Sequence, residues 1–163
     1  MKLLISLLVA YLATSLGAMA QKPNWLSLKI SSADTVVLVS HDCFRCLVDS
    51  HNQPLPVPQL VVKGHPNYKA FLKRKVLASN QRAELSEILV RPFTDSVIVT
   101  MKCCEPHHTL FLVKGNHTSY LDICFTCRCL DSSKDMAALY HLTSSQWPEL
   151  DRFFTRFGLA YAD

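Results

Sequence analysis

The sequence predicts an α+β fold: an antiparallel β-meander packed on one face by helices, in a single domain. Two observations carry this. Residues 96–103 (SVIVTMKC), 109–114 (TLFLVK) and 119–125 (SYLDICF) are apolar, β-branched runs in quick succession, with turn signals between them. Residues 79–89 and 146–157 instead repeat their apolar positions at helical spacing. Strands that follow one another closely pair antiparallel, and amphipathic helices must bury their apolar stripe against a sheet.

Taken in order, the first twenty residues have the three parts of a secretory signal. Lys2 supplies the positive end, Leu3 to Leu12 form a short apolar run, and Ala18-Met19-Ala20 is a small-x-small cleavage site before Gln21. Thr14, Ser15 and Gly17 interrupt the run before the roughly 20 residues that a membrane span needs. The expectation is therefore cleavage, a mature domain over residues 21–163, and no stable membrane anchor once the signal is gone. The compartment expected is the periplasm or the extracellular space.

Residues 25–30 (WLSLKI) alternate like a strand, SSAD at 31–34 is a turn, and TVVLVS at 35–40 is a strand. Pro54, Pro56 and Pro58 forbid a regular helix and predict an extended loop. Residues 65–91 turn helical: Tyr68, Phe71, Leu72 and Lys75 share a face, with Asn67 as cap. A second helix follows, capped by Ser79 or Asn80, with Leu85, Ile88 and Leu89 inward and Pro92 as its stop. GNHT at 115–118 reads as a hairpin loop. A four-residue loop pairs Leu112 with Leu121 and Leu110 with Ile123, and leaves Tyr120, Asp122 and Cys124 on the other face. The last helix opens with a Thr143/Gln146 capping box and Pro148 in its first turn. It buries Leu150, Phe153, Phe154 and Phe157, and stops at Gly158.

Net charge is +4, and basic residues cluster only in KAFLKRK at 69–75. A solvated face explains that run, and nucleic-acid binding, which usually needs a more basic domain, is not expected. The chain has no His-x-x-x-His pair, no Gly-rich phosphate loop and no Gly-x-Ser-x-Gly elbow, so most enzyme classes lack a starting residue. Asp122 has no second carboxylate nearby in the sequence. Asn116-His117-Thr118 has the form of a glycosylation sequon.

Seven cysteines remain to be explained, and the number is odd. At least one must be free, metal-bound or joined to another chain. In an oxidising compartment disulfides are the default. CCEPHH (103–108) and CFTC (124–127) can meet at one end of the sheet. There Cys103 or Cys104 with His108 (or His107), Cys124 and Cys127 suits one structural zinc, which takes thiolate and imidazole in a closed four-ligand site. The same placement suits a disulfide from Cys103 or Cys104 to Cys124. The remaining pair, Cys43 and Cys46 in HDCFRC, follows a strand as in thioredoxin, and His41 and Arg45 can lower a thiol pKa there. The proline-rich stretch after Cys46 is too short for the long helix that motif requires. Dithiol redox chemistry is therefore the alternative reading, with Cys43 and Cys46 as the redox pair.

LASNQRAELSEIL (77–89), CCEPHHTLFL (103–112), YLDICFTC (120–127) and a closing helix ending at Gly158 resemble a family of small exported bacterial proteins with no established activity. The likeness covers about residues 77–158. It rests on a Cys-x-x-Pro-x-His strand end, a hairpin into Ile-Cys-Phe-x-Cys and a C-terminal amphipathic helix. Carried over, its positions are Cys103, Pro106, His108, Cys124, Phe125 and Cys127. Cys104 is then the extra thiol, and Cys43, Cys46 and Cys129 lie outside the pattern. The resemblance favours Cys103 over Cys104 and implies an architecture and a cysteine site, with the partner unknown. Cys129, in the loop-like LDSSKD, is expected to matter less.

Overall fold

A computed structural model of the chain describes residues 24–44, 46–91, 104–137 and 142–160. The expected signal sequence, the strand at 96–103, Cys103 and Arg45 lie outside these. The fold is α+β. Helix α1 spans Trp25–Ser32, strand β1 Thr35–Ser40, β2 Val61–Val62, β3 His65–Pro66 and β4 Lys73–Val76. Helix α2 follows at Ser79–Leu89, then β5 His108–Lys114, β6 His117–Cys124, β7 Cys129–Ser132 and helix α3 Gln146–Thr155. Five strands form one antiparallel sheet in the order β4-β1-β5-β6-β7, and β2 pairs with β3 as a separate ribbon.

All three helices bury their apolar side against one face of the sheet. That core joins Leu26 and Ile30 of α1, Leu85, Ile88 and Leu89 of α2, and Leu150, Phe153 and Phe154 of α3 to Val36, Leu38, Leu110, Leu121 and Ile123 of the strands. The other face holds a smaller cluster, Val37, Val39 and Phe111, covered by Leu60, Val61, Phe71 and Tyr120. β1 is an inner strand covered on both faces, which is why five of its six residues are buried and its sequence is almost continuously apolar.

Three expectations are corrected. Residues 25–30 are helical rather than extended. Leu26 and Ile30 are four apart as well as alternating, and the helical spacing prevails because the Asn24 side chain caps the turn, accepting from the Leu26 amide at 2.9 Å. Leu28, which made the alternation, faces outward at 51 % exposure. Residues 68–75 hold only a 3₁₀ turn at Tyr68–Ala70 before β4. So short a helix is marginal by itself, whereas pairing Val37 with Val76 and Ser40 with Lys73 satisfies the open edge of β1. The Asn67 side chain makes no capping bond to that turn, and its Nδ2 donates instead to the Gln59 carbonyl at 3.0 Å. Finally, residues 129–132 form a strand rather than a loop. Arg128, at φ +51°, reverses the chain so that Cys129 falls opposite Cys124.

The hairpin is tighter than expected. Lys114 pairs with His117 around Gly115-Asn116, so Leu112 faces Ser119 and Leu110 faces Leu121. A two-residue shift preserves which side chains share a face, so Tyr120 and Asp122 still lie opposite the helices. Gly115 supplies the turn with φ +56°. The β2–β3 tip packs onto this loop: Gly64 sits at φ +82°, any Cβ there would collide with the Asn116 carbonyl, and Thr118 donates to the Gly64 carbonyl at 2.6 Å. Asn116 of the sequon is exposed.

Helix α2 is capped one residue earlier than expected: the Ala78 amide donates to the Gln81 side chain at 2.9 Å, and the helix ends at Leu89. Helix α3 has the reciprocal capping expected, the Thr143 amide to Gln146 Oε1 at 2.7 Å and the Gln146 amide to Thr143 Oγ1 at 3.2 Å. Gly158 ends it at φ +71°. Asp135 fastens α1 to β6. Burial works against its charge, but hydrogen bonds from Lys29, Ser119, Ser133 and His117 outweigh that and hold its carboxyl well below the usual range. Among the described residues no helix is long and apolar enough to cross a membrane.

Candidate functional site

The sheet register gathers the chemistry at one end. Ser40 at the end of β1 stands beside His108 at the start of β5, which stands beside Ile123 near the end of β6. The segments that leave β1, enter β5 and leave β6 therefore converge. Between them they carry Cys43, Cys46, Cys104, Cys124, Cys127 and Cys129, and also His41, His107 and His108.

Four of these cysteines form two disulfides. Cys43 and Cys46 close a local turn with Cα atoms 5.2 Å apart, and the Cys46 amide donates to the Cys43 carbonyl at 3.0 Å. Cys104 and Cys129 join segments 25 residues apart, with Cα atoms at 5.7 Å. Closing a loop of that length removes about 3.5 kcal/mol of chain entropy from the unfolded state. The expected pairing of Cys104 with Cys124 is corrected. Cys124 is buried and is a free cysteine whose sulfur accepts the Cys127 amide at 3.2 Å. Cys129, directly opposite on the edge strand, is half-buried and within reach of Cys104. The expectation that Cys129 matters little is overturned with it.

The expected ligand set Cys103, His108, Cys124 and Cys127 is only partly described, because Cys103 lies outside the described residues. His108 belongs to the helix-covered core. Its Nε2 is 2.5 Å from the Leu159 carbonyl, and its ring packs edge-on against Phe125 and Phe154, with centroids at 4.9 and 5.4 Å. Burial pushes its pKa down to about 4, more than the bond to Leu159 restores. The neutral ring therefore donates from Nε2 to that carbonyl. Burial lowers the pKa of His107 as well. Strand alternation sets His108 with Ile123 and turns Cys124 the other way, so these ligand atoms do not converge. Among the described residues, the donor atoms that lie within 4.8 Å of one another as a group of three belong to Cys43, Cys46 and Glu105.

Beside the Cys43–Cys46 turn, on the face away from the helices, is a cleft of about 420 Å³. Its floor is a buried polar network. His41 Nδ1 is 2.8 Å from the Asp42 carbonyl, and His41 Nε2 is 3.0 Å from Thr109 Oγ1 and 3.3 Å from Asp122 Oδ1. Thr109 donates to the same carboxylate oxygen at 2.8 Å. The imidazole is stacked on Phe44, between the two cysteines, with centroids 4.3 Å apart and planes 7° from parallel. Pro58, Leu60, Pro106 and Tyr120 line the walls, and Asp122 and Asp131 supply the formal charge.

By sequence alone Asp122 is solitary and His41 is a neighbour of thiols. The usable signal was polar residues on a face shared with Val37, Val39 and Phe111. Joining them required the β1–β5–β6 register.

No protein-family model, curated protein or solved structure matches this chain.

Proposed function

We propose that the chain is an exported, non-enzymatic binding domain, tied by disulfides at its cysteine-rich end and offering the adjacent cleft to a ligand. The observation that carries this reading is a cleft beside the Cys43–Cys46 turn whose floor is a polar network turned in on itself. Both ring nitrogens of His41 are engaged, by Asp42 on one side and by Thr109 and Asp122 on the other, so neither is turned to the cleft as a base. A domain that keeps Cys43–Cys46 and Cys104–Cys129 closed suits an oxidising compartment, in line with the signal-like first twenty residues.

Among the described residues, the formal charges lining the cleft are the carboxylates of Asp122 and Asp131 and no Lys or Arg lines it, against a net charge of +4 for the chain. The fitting ligand is a compact molecule with a positive charge and an apolar body. The test is calorimetric titration with a matched pair, phenethylamine and phenylacetate. The amine should bind more tightly, and Asp131→Asn should narrow the difference. Equal or tighter binding of the carboxylate would contradict the reading. Export is tested by the N-terminus of the secreted chain, expected at or near Gln21.

One observation favours the second reading, a thiol–disulfide oxidoreductase at Cys43 and Cys46: Cys46 is exposed. An incoming thiolate would meet that sulfur first. Against it, the pair sits in a turn rather than at a helix N-terminus, so the usual means of lowering the thiol pKa is missing. Turnover in an insulin-reduction assay that Cys46→Ser abolishes would favour this second reading.

A further inference from the structure

We infer that the reduced protein carries a metal site made by Cys43, Cys46 and Glu105, selective for a thiophilic divalent cation such as zinc, and that the Cys43–Cys46 disulfide is its metal-free state. The site is distinct from the ligand set implied by the resemblance, and it does not depend on the cleft reading above.

Three observations support it. The two sulfurs, bonded to each other here, and a Glu105 carboxylate oxygen all lie within 4.8 Å of one another, near enough to reach one ion once the sulfur–sulfur bond is opened. Cys-x-x-Cys in a turn is the arrangement that sets two sulfurs on a single cation. The third ligand is held in place without a disulfide, because Glu105 lies two residues before His107, whose carbonyl accepts from the His41 amide at 2.9 Å and whose amide donates to the Ile123 carbonyl at 3.2 Å. Cys46 and Glu105 are exposed, so a cation has access and water can complete the coordination.

The chemistry is exclusive. In the disulfide the two sulfurs share a bond and carry no charge. A dithiol reductant transfers two electrons and two protons, giving Cys43–SH and Cys46–SH and itself becoming a disulfide. The cation then displaces both thiol protons, forming two metal–sulfur bonds and one metal–oxygen bond and releasing two protons. Without a cation, two thiolates and a carboxylate would gather three negative charges within that 4.8 Å, which a divalent ion neutralises to −1. Thiolates select zinc-like ions over magnesium or calcium, which prefer oxygen. A small-molecule disulfide takes two electrons from the two thiolates and, with two protons, becomes two thiols; the Cys43–Cys46 bond re-forms and the metal is released, so occupancy follows thiol redox state.

The test uses the full mature chain with Co²⁺ as a spectroscopic probe. Protein reduced with a trialkylphosphine and freed of excess reagent is titrated anaerobically, then zinc is added. The expected result is one equivalent of Co²⁺ with a thiolate-to-cobalt charge-transfer band, displaced by zinc. The oxidised protein should show no band. Reduction opens other thiols too, so Cys43→Ser/Cys46→Ser serves as their control and should lose the band. Glu105→Gln should keep the band and weaken binding at least tenfold. Circular dichroism reports folding of each variant. If the double variant does not fold, Glu105→Gln decides: unchanged affinity overturns the site. Absence of the band in reduced wild type, its presence in oxidised protein, or its persistence in a folded double variant would each overturn the proposal.

Discussion

Cys104 is bonded to Cys129, and Cys124, which lies directly across the β6–β7 ladder from Cys129, is left as a buried thiol. The bond joins the segment that enters the central β5 to the edge strand β7. It thereby fixes the end of the sheet where His41, the Cys43–Cys46 turn and Glu105 meet.

Cys104→Ser should therefore destabilise the protein by about 2–4 kcal/mol, the usual effect of losing a native disulfide. Urea unfolding of oxidised wild type and variant measures it. A change within about 0.5 kcal/mol, the range of an ordinary surface substitution, would mean that the bond does not fasten the fold.

His108 makes stability depend on acid. Its folded pKa is about 4, below its ordinary 6.5. Between these values the unfolded chain takes up a proton that the native protein excludes, so stability is full above pH 6.5 and falls as the pH drops towards 4. The shift corresponds to about 3 kcal/mol over that window. His108→Gln should flatten this part of the profile, and an unchanged slope would show that the ring is open to solvent.

Phe153 is 2 % exposed and packs in the helix-covered core. Phe153→Ala should cost about 3–5 kcal/mol, the range for emptying a large aromatic site. A cost below about 1 kcal/mol would instead place the α3 stripe against something outside the domain.

Much of this architecture was legible because it is local. The run TVVLVS, the two hairpin strands, Leu85, Ile88 and Leu89 on one helical face, and Thr143 with Gln146 each signal their structure within a few residues. The misread elements depend on partners. In residues 25–30 both periods fit, and the deciding group was Asn24, one residue outside the pattern. β4 is basic and becomes a strand because β1 has an edge to fill. The pairing of Cys104 with Cys129 needed the left-handed turn at Arg128, and the His41–Thr109–Asp122 network needed three strands in register. The cysteine-rich end was visible as composition, but its connectivity was not.

Disulfide mapping of the oxidised chain tests the account most directly. Trypsin cuts after Arg128, which separates Cys129 from Cys124 and Cys127. Digestion without reductant should yield peptide 103–114 linked to peptide 129–134, with fragmentation assigning the bond to Cys104, and Cys43 linked to Cys46. Cys124 should react with iodoacetamide only after the protein is denatured. Recovery of peptide 129–134 alkylated at Cys129 without reductant, or of Cys104 bonded to Cys124, would contradict the structure of this end of the sheet and the binding reading built on it.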